Sequence, residues 1–110
     1  QGKGATGVVT MYEYRRMMLT ICLGTYRKAG PHVRHFVDQA MAVSLRCAKS
    51  EEDKRLHNLL ILRFMAEQSF SVNRICKALH MSRGNFRQAT GASIDRLMVV
   101  LFGVDGIEWA

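Results

Sequence analysis

The sequence predicts an all-α fold, a compact bundle of about five helices with a helix-turn-helix near its C-terminal end. Apolar residues recur at helical three-and-four spacing along successive segments, and most of these segments begin with Ser or Thr. The 110 residues include one proline and are 48% hydrophobic, which excludes general disorder. The length suits one core. We expect a flexible lead-in at 1–9 and a single helical domain at 10–110, with the helix-turn-helix at 71–102.

The first predicted helix begins at Thr10, because Thr10 and Glu13 have the spacing of a capping box. Its methionines could form an adaptable binding surface, but ordinary core is the favoured interpretation. The basic residues Arg15, Arg16, Arg27 and Lys28 are expected to face solvent. The face predicted to be buried consists of Met11, Tyr14, Met17, Met18, Ile21 and Cys22.

The second predicted helix begins at Pro31, since Gly30 can end one helix and proline suits the first turn of the next. His32 and His35 lie one turn apart, but zinc would need two further ligands, so we expect no metal and no cofactor. The predicted buried stripe is Val33, Phe36, Val37, Ala40, Met41, Ser44, Leu45 and Ala48, and the outer face carries Arg34, Asp38, Gln39, Arg46 and Lys49.

The third predicted helix begins at Ser50, whose side chain can cap it, and the acidic residues 51–53 suit the positive end of the helix dipole. Phe70 is expected to pack beneath the helix that follows. Because the apolar residues lie on more than one side, this helix is predicted to be the central one. They are Leu56, Leu59, Leu60, Leu62, Phe64 and Met65.

The helix-turn-helix prediction begins with a short helix capped by Ser71, with Val72, Ile75, Cys76 and Leu79 on its inner face. His80 and Met81 fill a tight turn. Ser82 can cap the second helix, which is predicted to continue through the apolar residues 98–102 and to close at Gly103. Beyond it, Ile107 and Trp109 are expected to be anchors, with Trp109 packing on the core or, as the alternative, at a protein interface. The inner face of the second helix is Phe86, Ala89, Ser93 and Leu97.

The outer face of this unit carries groups that recognise DNA. Arg donates in pairs to guanine, and Asn or Gln pairs with adenine, when a helix lies in the major groove. The segment 71–97 is basic, since it contains five Arg or Lys residues, Arg96 among them, and Asp95 as its one acidic residue. Gly84 and Gly91 suit a face that a partner approaches closely, although Gly91 could equally mark a break in the helix. A plain helical bundle remains the alternative. The predicted DNA-binding residues are Ser82, Arg83, Gly84, Asn85, Arg87, Gln88, Arg74 and Lys77.

Composition limits the remaining possibilities. The net charge of +7 favours an anionic partner, either nucleic acid or an acidic protein surface. Cys22, Cys47 and Cys76 have no paired spacing, which indicates reduced, buried thiols in a cytoplasmic protein. We expect no membrane span and no secretion signal. An enzyme is not expected, since no catalytic pair or phosphate loop is supported, and aromatic platforms for RNA are lacking.

Segment 71–97 resembles the helix-turn-helix of sigma-factor region 4. The corresponding positions hold Ile75 and Cys76, Leu79, the capping Ser82, and Ser93 to Leu97, with His80 where glycine is usual and Gly91 inside the helix. Over residues 36–105 the layout is similar to the small all-helical phage late-gene antitermination proteins called Q. The segment LMVVLFGVDGIEW also resembles the ArpU and RinA phage transcription regulators.

The resemblance implies a protein that binds DNA near a late promoter, loads onto bacterial RNA polymerase and makes it pass pauses and terminators. Arg83, Asn85, Arg87 and Gln88 would contact the DNA, while another face holds the polymerase. The zinc-binding insertion of one family branch is absent from the sequence. A second copy on DNA, an activator of the ArpU/RinA type, and a helical adaptor that binds protein without DNA stay open as alternatives.

Overall fold

The computed structural model describes residues 9–103, and all structural statements below concern this part of the chain. It contains five α-helices and no β-strand, which confirms the predicted all-α fold. Residues 1–8 of the predicted lead-in, and the predicted anchors Ile107 and Trp109, lie outside the described residues.

The helices follow the predicted order, with short turns of other helical type between them. Helix α1 is Met11–Thr25, with a 3₁₀ turn at Tyr26–Lys28, and α2 is Pro31–Arg46. Helix α3 is Glu51–Leu60 and continues as a π-helical turn, Ile61–Met65. Helix α4 is Val72–Ala78, and a 3₁₀ turn at Arg83–Asn85 leads into α5, Phe86–Phe102.

The predicted helix caps are present. The hydroxyl of Thr10 accepts from the backbone N–H of Glu13, and the Glu13 carboxylate accepts from the backbone N–H of Thr10, both at 3.0 Å. Ser50 accepts from the N–H of Asp53 at 3.0 Å. Gly103 ends α5 with φ of 89°, a left-handed conformation that suits glycine. These short-range hydrogen bonds fix where the helices start and stop.

Two hydrophobic clusters hold the helices together. Leu59 and Leu60 on α3 belong to different clusters, so this helix is apolar on two sides, as predicted. The smaller cluster consists of Leu59, Ile75 and Leu79 with Phe70, Leu62, Met81, Phe86 and Ala89 around them, and it fixes α4 to the bundle. The larger cluster comprises Leu19, Leu23, Tyr26, Val37, Met41, Leu60, Ile94, Leu97 and Met98.

Helix α1 buries a different face from the predicted one. Leu19 and Leu23 are buried, whereas the predicted core residues other than Cys22 are exposed. Apolar residues cover more than half of the circumference of this helix, so periodicity alone could not choose a face. Two polar contacts accompany the observed choice: Asp95 on α5 accepts from Nε of Arg16 at 2.7 Å and from the Tyr12 hydroxyl at 3.3 Å.

Three of the four basic residues predicted to face solvent near α1 contact the protein instead. Arg16 pairs with Asp95, and the guanidinium of Arg15 lies 5.0 Å from the ring centre of Phe102. Arg27 donates to the carbonyl oxygens of Ala66 at 2.7 Å and Arg63 at 3.3 Å. Arg27 therefore satisfies carbonyls at the end of the π-helical turn, where the helical ladder stops.

Two further burial predictions were wrong. On α2, Phe36 and Leu45 are 44% and 58% exposed, because the buried stripe is the narrower one formed by Val37, Ala40, Met41 and Ser44. Cys47 is also exposed, since it stands at the C-terminal cap of α2 rather than on its inner face. These exposures leave parts of α1 and α2 uncovered.

Candidate DNA-binding surface

The turn between α4 and α5 closes in a compact, hydrogen-bonded form. The backbone N–H of Met81 donates to the carbonyl oxygen of Cys76 at 3.0 Å. The backbone N–H of His80 donates to the carbonyl oxygen of Lys77 at 3.4 Å. These two bonds define a Schellman motif, in which the residue after the cap takes a left-handed conformation. His80 has φ of 56° at this position, where the resemblance to sigma region 4 expects glycine.

The start of the second helix is fixed by its cap and by the core. The Ser82 hydroxyl accepts from the N–H of Asn85 at 3.2 Å, so the first turn is a tight 3₁₀ turn. The Cys76 thiol lies 3.7 Å from the Ser82 carbonyl oxygen, and Phe86 and Ala89 pack on the small cluster. The two helices and their turn therefore form one helix-turn-helix unit with a defined outer face.

All of the predicted DNA-binding residues are exposed. They lie at the end of the turn, in the first turns of the second helix, and on the outer side of α4, where their side chains are open to a partner. The inner residues Ile75, Cys76, Ser93 and Leu97 are buried, as predicted. The exposed residues are Ser82, Arg83, Gly84, Asn85, Arg87, Gln88, Arg74 and Lys77.

Arg83 is held in position by a residue that the sequence analysis did not select. Its Nη1 donates to Oδ1 of Asn73 on α4 at 2.9 Å, and both residues are exposed. The bond restricts a long side chain that would otherwise sample many rotamers. Asn73 and Lys77 are four positions apart on the exposed side of α4, and that spacing was the available signal.

The other basic residues have different surroundings. Arg74 has its guanidinium 5.0 Å from the ring centre of Phe70, so it stacks on the residue that packs beneath α4. Arg87 and Lys77 are exposed and form no hydrogen bond or ion pair with residues 9–103. Arg87 and Lys77 therefore keep their N–H donors for solvent or a partner.

Asn85 and Gln88 lie beside α3. Together with Glu52, Arg55 and Ala92 they line a cleft of about 280 Å³ between α3 and the second helix. The guanidinium of Arg55 donates two hydrogen bonds to the carboxylate of Glu52, at 3.0 and 3.1 Å. Sequence reasoning missed Arg55, because nothing local in the sequence shows that α3 passes this side of the helix-turn-helix.

The carboxylates near the second helix are neutralised by arginines. Glu52 is paired with Arg55, and Asp95 is paired with Arg16. Asp95 also lies two turns beyond Arg87 along the helix, about 12 Å away. The outer face around Arg83 and Arg87 therefore keeps a positive balance, which favours phosphate.

Arg96 does not belong to this basic face, contrary to the prediction that counted it there. Its side chain is only 13% exposed and lies 3.4 Å from Asp53 of α3. It also donates to the hydroxyl and the carbonyl of Ser44 on α2. Arg96 therefore lies on the side of α5 that packs against α2 and α3, where its charge stabilises the fold.

The described residues contain neither a metal-binding cluster nor a helix that could span a membrane. Between residues 9 and 103, no three His, Cys, Asp or Glu side chains are grouped closely enough to hold a metal ion. His32 and His35 are exposed on α2. In the same range, none of the helices has the length and apolar character needed to cross a bilayer.

The fold and this surface define an all-α chain with a helix-turn-helix unit whose outer face is positively charged. No protein-family model, curated protein or solved structure matches the chain.

Proposed function

We propose that the protein is a DNA-binding transcription factor that places the first turns of α5 in the major groove. The observation that carries this proposal is the exposure of Arg83 and Arg87 on the outer face of the helix-turn-helix, while Glu52 and Asp95 are each paired with another arginine. A groove-binding helix needs cationic and amide side chains at its N-terminal end, and this unit has both. The helix start also directs backbone N–H groups towards an anion.

The residues would divide between two kinds of contact. Arg83, Arg87, Asn85 and Gln88 would meet base edges, since each can form the paired hydrogen bonds that distinguish bases. The N-cap Ser82, Gly84, and the α4 residues Lys77 and Arg74 would contact phosphates and set the position of the protein. Gly84 leaves room for close approach: a Cβ there would have the Ser82 hydroxyl, 4.0 Å away, as its nearest neighbour.

The resemblance to the Q proteins supports a narrower proposal. The protein would bind a duplex near a late promoter, load onto bacterial RNA polymerase in the host cytoplasm, and make it pass pauses and terminators. The exposed faces of α1 and α2 offer a second surface for that polymerase. Promoter activation of the ArpU/RinA type and a protein adaptor without DNA binding are the competing functions.

Fluorescence anisotropy on duplexes enriched from a random-sequence pool tests DNA binding. We expect Arg83→Ala and Arg87→Ala each to cost about 1 to 3 kcal/mol of binding free energy. Arg46→Ala is the matched control, because Arg46 is exposed at the far end of α2. Failure to enrich any duplex at low salt, or equal losses for all three variants, would contradict the proposal.

A transcription assay separates the competing functions. Polymerase that has already left the promoter is given the protein and a template with a terminator. Increased read-through supports antitermination, whereas an effect confined to initiation supports an activator. Capture of polymerase by a chain that retards no DNA at low salt would support the adaptor instead.

A further inference from the structure

The π-helical turn after α3 places an arginine against the start of α5. The guanidinium of Arg63 lies 5.3 Å from the ring centre of its neighbour Phe64 and 5.9 Å from the ring centre of Phe86, the first residue of α5. Phe86 immediately precedes Arg87, which is one of the residues proposed to bind DNA. A cationic side chain from outside the helix-turn-helix therefore stands beside the end of α5 that is proposed to enter the groove.

Arg63 keeps its hydrogen-bond donors. The residue is exposed, and its guanidinium forms no hydrogen bond or ion pair with any residue in the described range 9–103. An aromatic ring attracts a cation through its π electrons and leaves the N–H groups unoccupied. Arg55, the other arginine of this region beside α5, differs in this respect, because it donates two hydrogen bonds to the carboxylate of Glu52.

The charges in this part of the chain are predominantly positive. Residues 54–94 include seven Lys or Arg residues and one acidic residue, Glu67. Glu67 is exposed and forms no ion pair with Arg63. Like charges that lack compensating carboxylates oppose folding through repulsion, whereas they attract an anionic partner. This charge balance favours phosphate as the group that Arg63 binds.

Arg63 and Arg74 have the same kind of support. The guanidinium of Arg74 lies 5.0 Å from the ring centre of Phe70, and Phe70 and Phe86 both pack on the small cluster. Leu62, the residue before Arg63, packs on that cluster too. The cluster thus supports two exposed arginines, of which Arg74 belongs to the helix-turn-helix and Arg63 does not.

The position of the Phe86 ring decides which part of a duplex Arg63 can reach. Phe86 is on the inner face of α5, so a guanidinium beside its ring lies at the flank of the helix and not on its outer face. A helix with its side chains is about 10 to 12 Å wide and the major groove is about 12 Å wide, so the flanks of a bound helix meet the groove walls. These walls carry the phosphates.

We propose that Arg63 binds a backbone phosphate of duplex DNA at the wall of the groove that receives the first turns of α5. Its guanidinium donates to the phosphate oxygens, and the Phe86 ring fixes where it stands. The contact positions α5 along the duplex without reading a base. This inference rests on the proposed DNA binding and extends the binding surface from the helix-turn-helix to the end of α3.

Fluorescence anisotropy at a series of salt concentrations tests the proposal, because each phosphate contact adds about 0.9 to the slope of log Kd against log salt concentration. We expect Arg63→Gln to lower this slope by about 0.9. Affinity at low salt should fall at least about threefold, by the same factor on the selected duplex and on a scrambled one. Arg63→Lys keeps the charge and should keep the slope.

Arg34→Gln is the matched control, because Arg34 is also exposed and lies 4.7 Å from the ring centre of Tyr26. Its neighbour Val33 lines a groove with Phe102, which is at the opposite end of α5 from Phe86. The substitution removes the same charge and should leave the slope unchanged. An equal fall in slope for Arg34→Gln would show that net charge alone matters and would overturn the proposal.

A comparison with Arg87→Ala separates this inference from the proposed function. If Arg87→Ala weakens the selected duplex more than the scrambled one but Arg63→Gln leaves the slope unchanged, the Arg63 contact is overturned and groove reading stands. If only Arg63→Gln has its expected effect, the phosphate contact stands and groove reading by Arg87 is contradicted. A chain that binds no duplex at low salt overturns both.

The fold of each variant is checked by urea denaturation. Arg63→Gln and Arg34→Gln should unfold at similar urea concentrations, since each loses one exposed arginine that lies over a ring. Arg63→Met keeps the alkyl chain on the rings and replaces Arg63→Gln in the salt series if the Gln variant is poorly folded. An unchanged slope in a folded Arg63→Met variant would overturn the proposal.

Discussion

The guanidinium of Arg96 holds Ser44, donating to its hydroxyl at 2.8 Å and to its carbonyl at 3.0 Å across 52 positions of sequence. Ser44 is fully buried, and its hydroxyl lies 2.9 Å from Nδ1 of His57 on α3. Because the hydroxyl accepts from Arg96, its proton is available to Nδ1. Together with Asp53, which lies 3.4 Å from Arg96, these residues join α2, α3 and α5.

Replacing Arg96 by Met should destabilise the fold by about 3 kcal/mol, since it removes charged hydrogen bonds and leaves the buried Ser44 without them. Urea denaturation followed by circular dichroism measures the loss. Arg46→Met, at an exposed position on α2, should change stability by less than about 0.5 kcal/mol. Similar losses for both variants would contradict the structural role of Arg96.

The protein should lose stability as the pH falls below about 6.5 because of His57. Burial, and then the charge of Arg96, lower the pKa of His57 from its ordinary value of 6.5. The unfolded chain therefore takes up a proton at a pH where the folded chain does not. The loss is at most about 1.4 kcal/mol per pH unit and stops below the folded pKa.

The His57→Asn variant provides the control for this pH dependence, because its amide oxygen can still accept from Ser44 but does not titrate. Urea unfolding of both proteins between about pH 7 and 5 should show a steeper loss in the unchanged chain. Asp53, whose pKa is lowered chiefly by the Lys49 backbone N–H, adds its loss only as the pH falls towards and below 3.8. Parallel curves for the two proteins would contradict the assignment to His57.

His80→Gly should stabilise the protein by up to about 1 kcal/mol, because His80 has a left-handed backbone with φ of 56° that glycine adopts without strain. The midpoint of urea unfolding reports this gain. His80→Ala keeps a Cβ atom and should give no comparable gain. If Ala stabilises as much as Gly, the effect comes from removal of the imidazole rather than from the backbone.

Gly91→Ala should also stabilise the fold, by about 0.5 to 1 kcal/mol, since Gly91 lies inside α5 with helical neighbours on both sides. A Cβ there would meet Nη2 of Arg16 at 3.8 Å, an ordinary contact. Arg16 also donates to the Gly91 carbonyl at 3.3 Å. A lower thermal midpoint for Gly91→Ala would indicate that the Cβ disturbs Arg16 and its pairing with Asp95.

If the proposed DNA binding is correct, Asn73→Ala should weaken it by about 0.5 to 1 kcal/mol, because Arg83 then loses the hydrogen bond that restricts it. Anisotropy on the selected duplex, with Asn73→Ala, Arg83→Ala and the double variant, forms a double-mutant cycle. The Asn73 change should have no effect once Arg83 is absent. An undiminished effect there would mean that Asn73 contacts the DNA itself.

The sequence predicted the features that are encoded by near neighbours. The capping hydroxyls of Thr10, Ser50, Ser71 and Ser82 each accept from an N–H three residues further on, so both partners lie within one turn. The closing glycine of α5 and the exposed outer face of the helix-turn-helix follow from similarly local patterns. These predictions agree with the structure because they needed no knowledge of which helices pack together.

The features that sequence reasoning missed depend on residues far apart in the chain. Arg16 and Asp95 are 79 positions apart, and their pairing accompanies the burial of the unexpected side of α1. Arg96 has the same charge as Arg87, but only the packing of α2 and α3 shows that Arg96 is enclosed. The π-helical turn at Ile61–Met65 is likewise without a local signal in the sequence.

Helix α5 spans the molecule without interruption from Phe86 to Phe102, a length of about 26 Å. Its first turns carry Arg87, and its last residue, Phe102, lines an apolar groove between α1 and α2. The helix therefore fixes both the distance and the relative rotation between the residues of its first turns and those of its last turn. Because Ile94, Leu97 and Met98 in its second half pack in the larger cluster, adding one residue near its middle would turn these side chains by about 100° out of register with the core and disrupt the bundle.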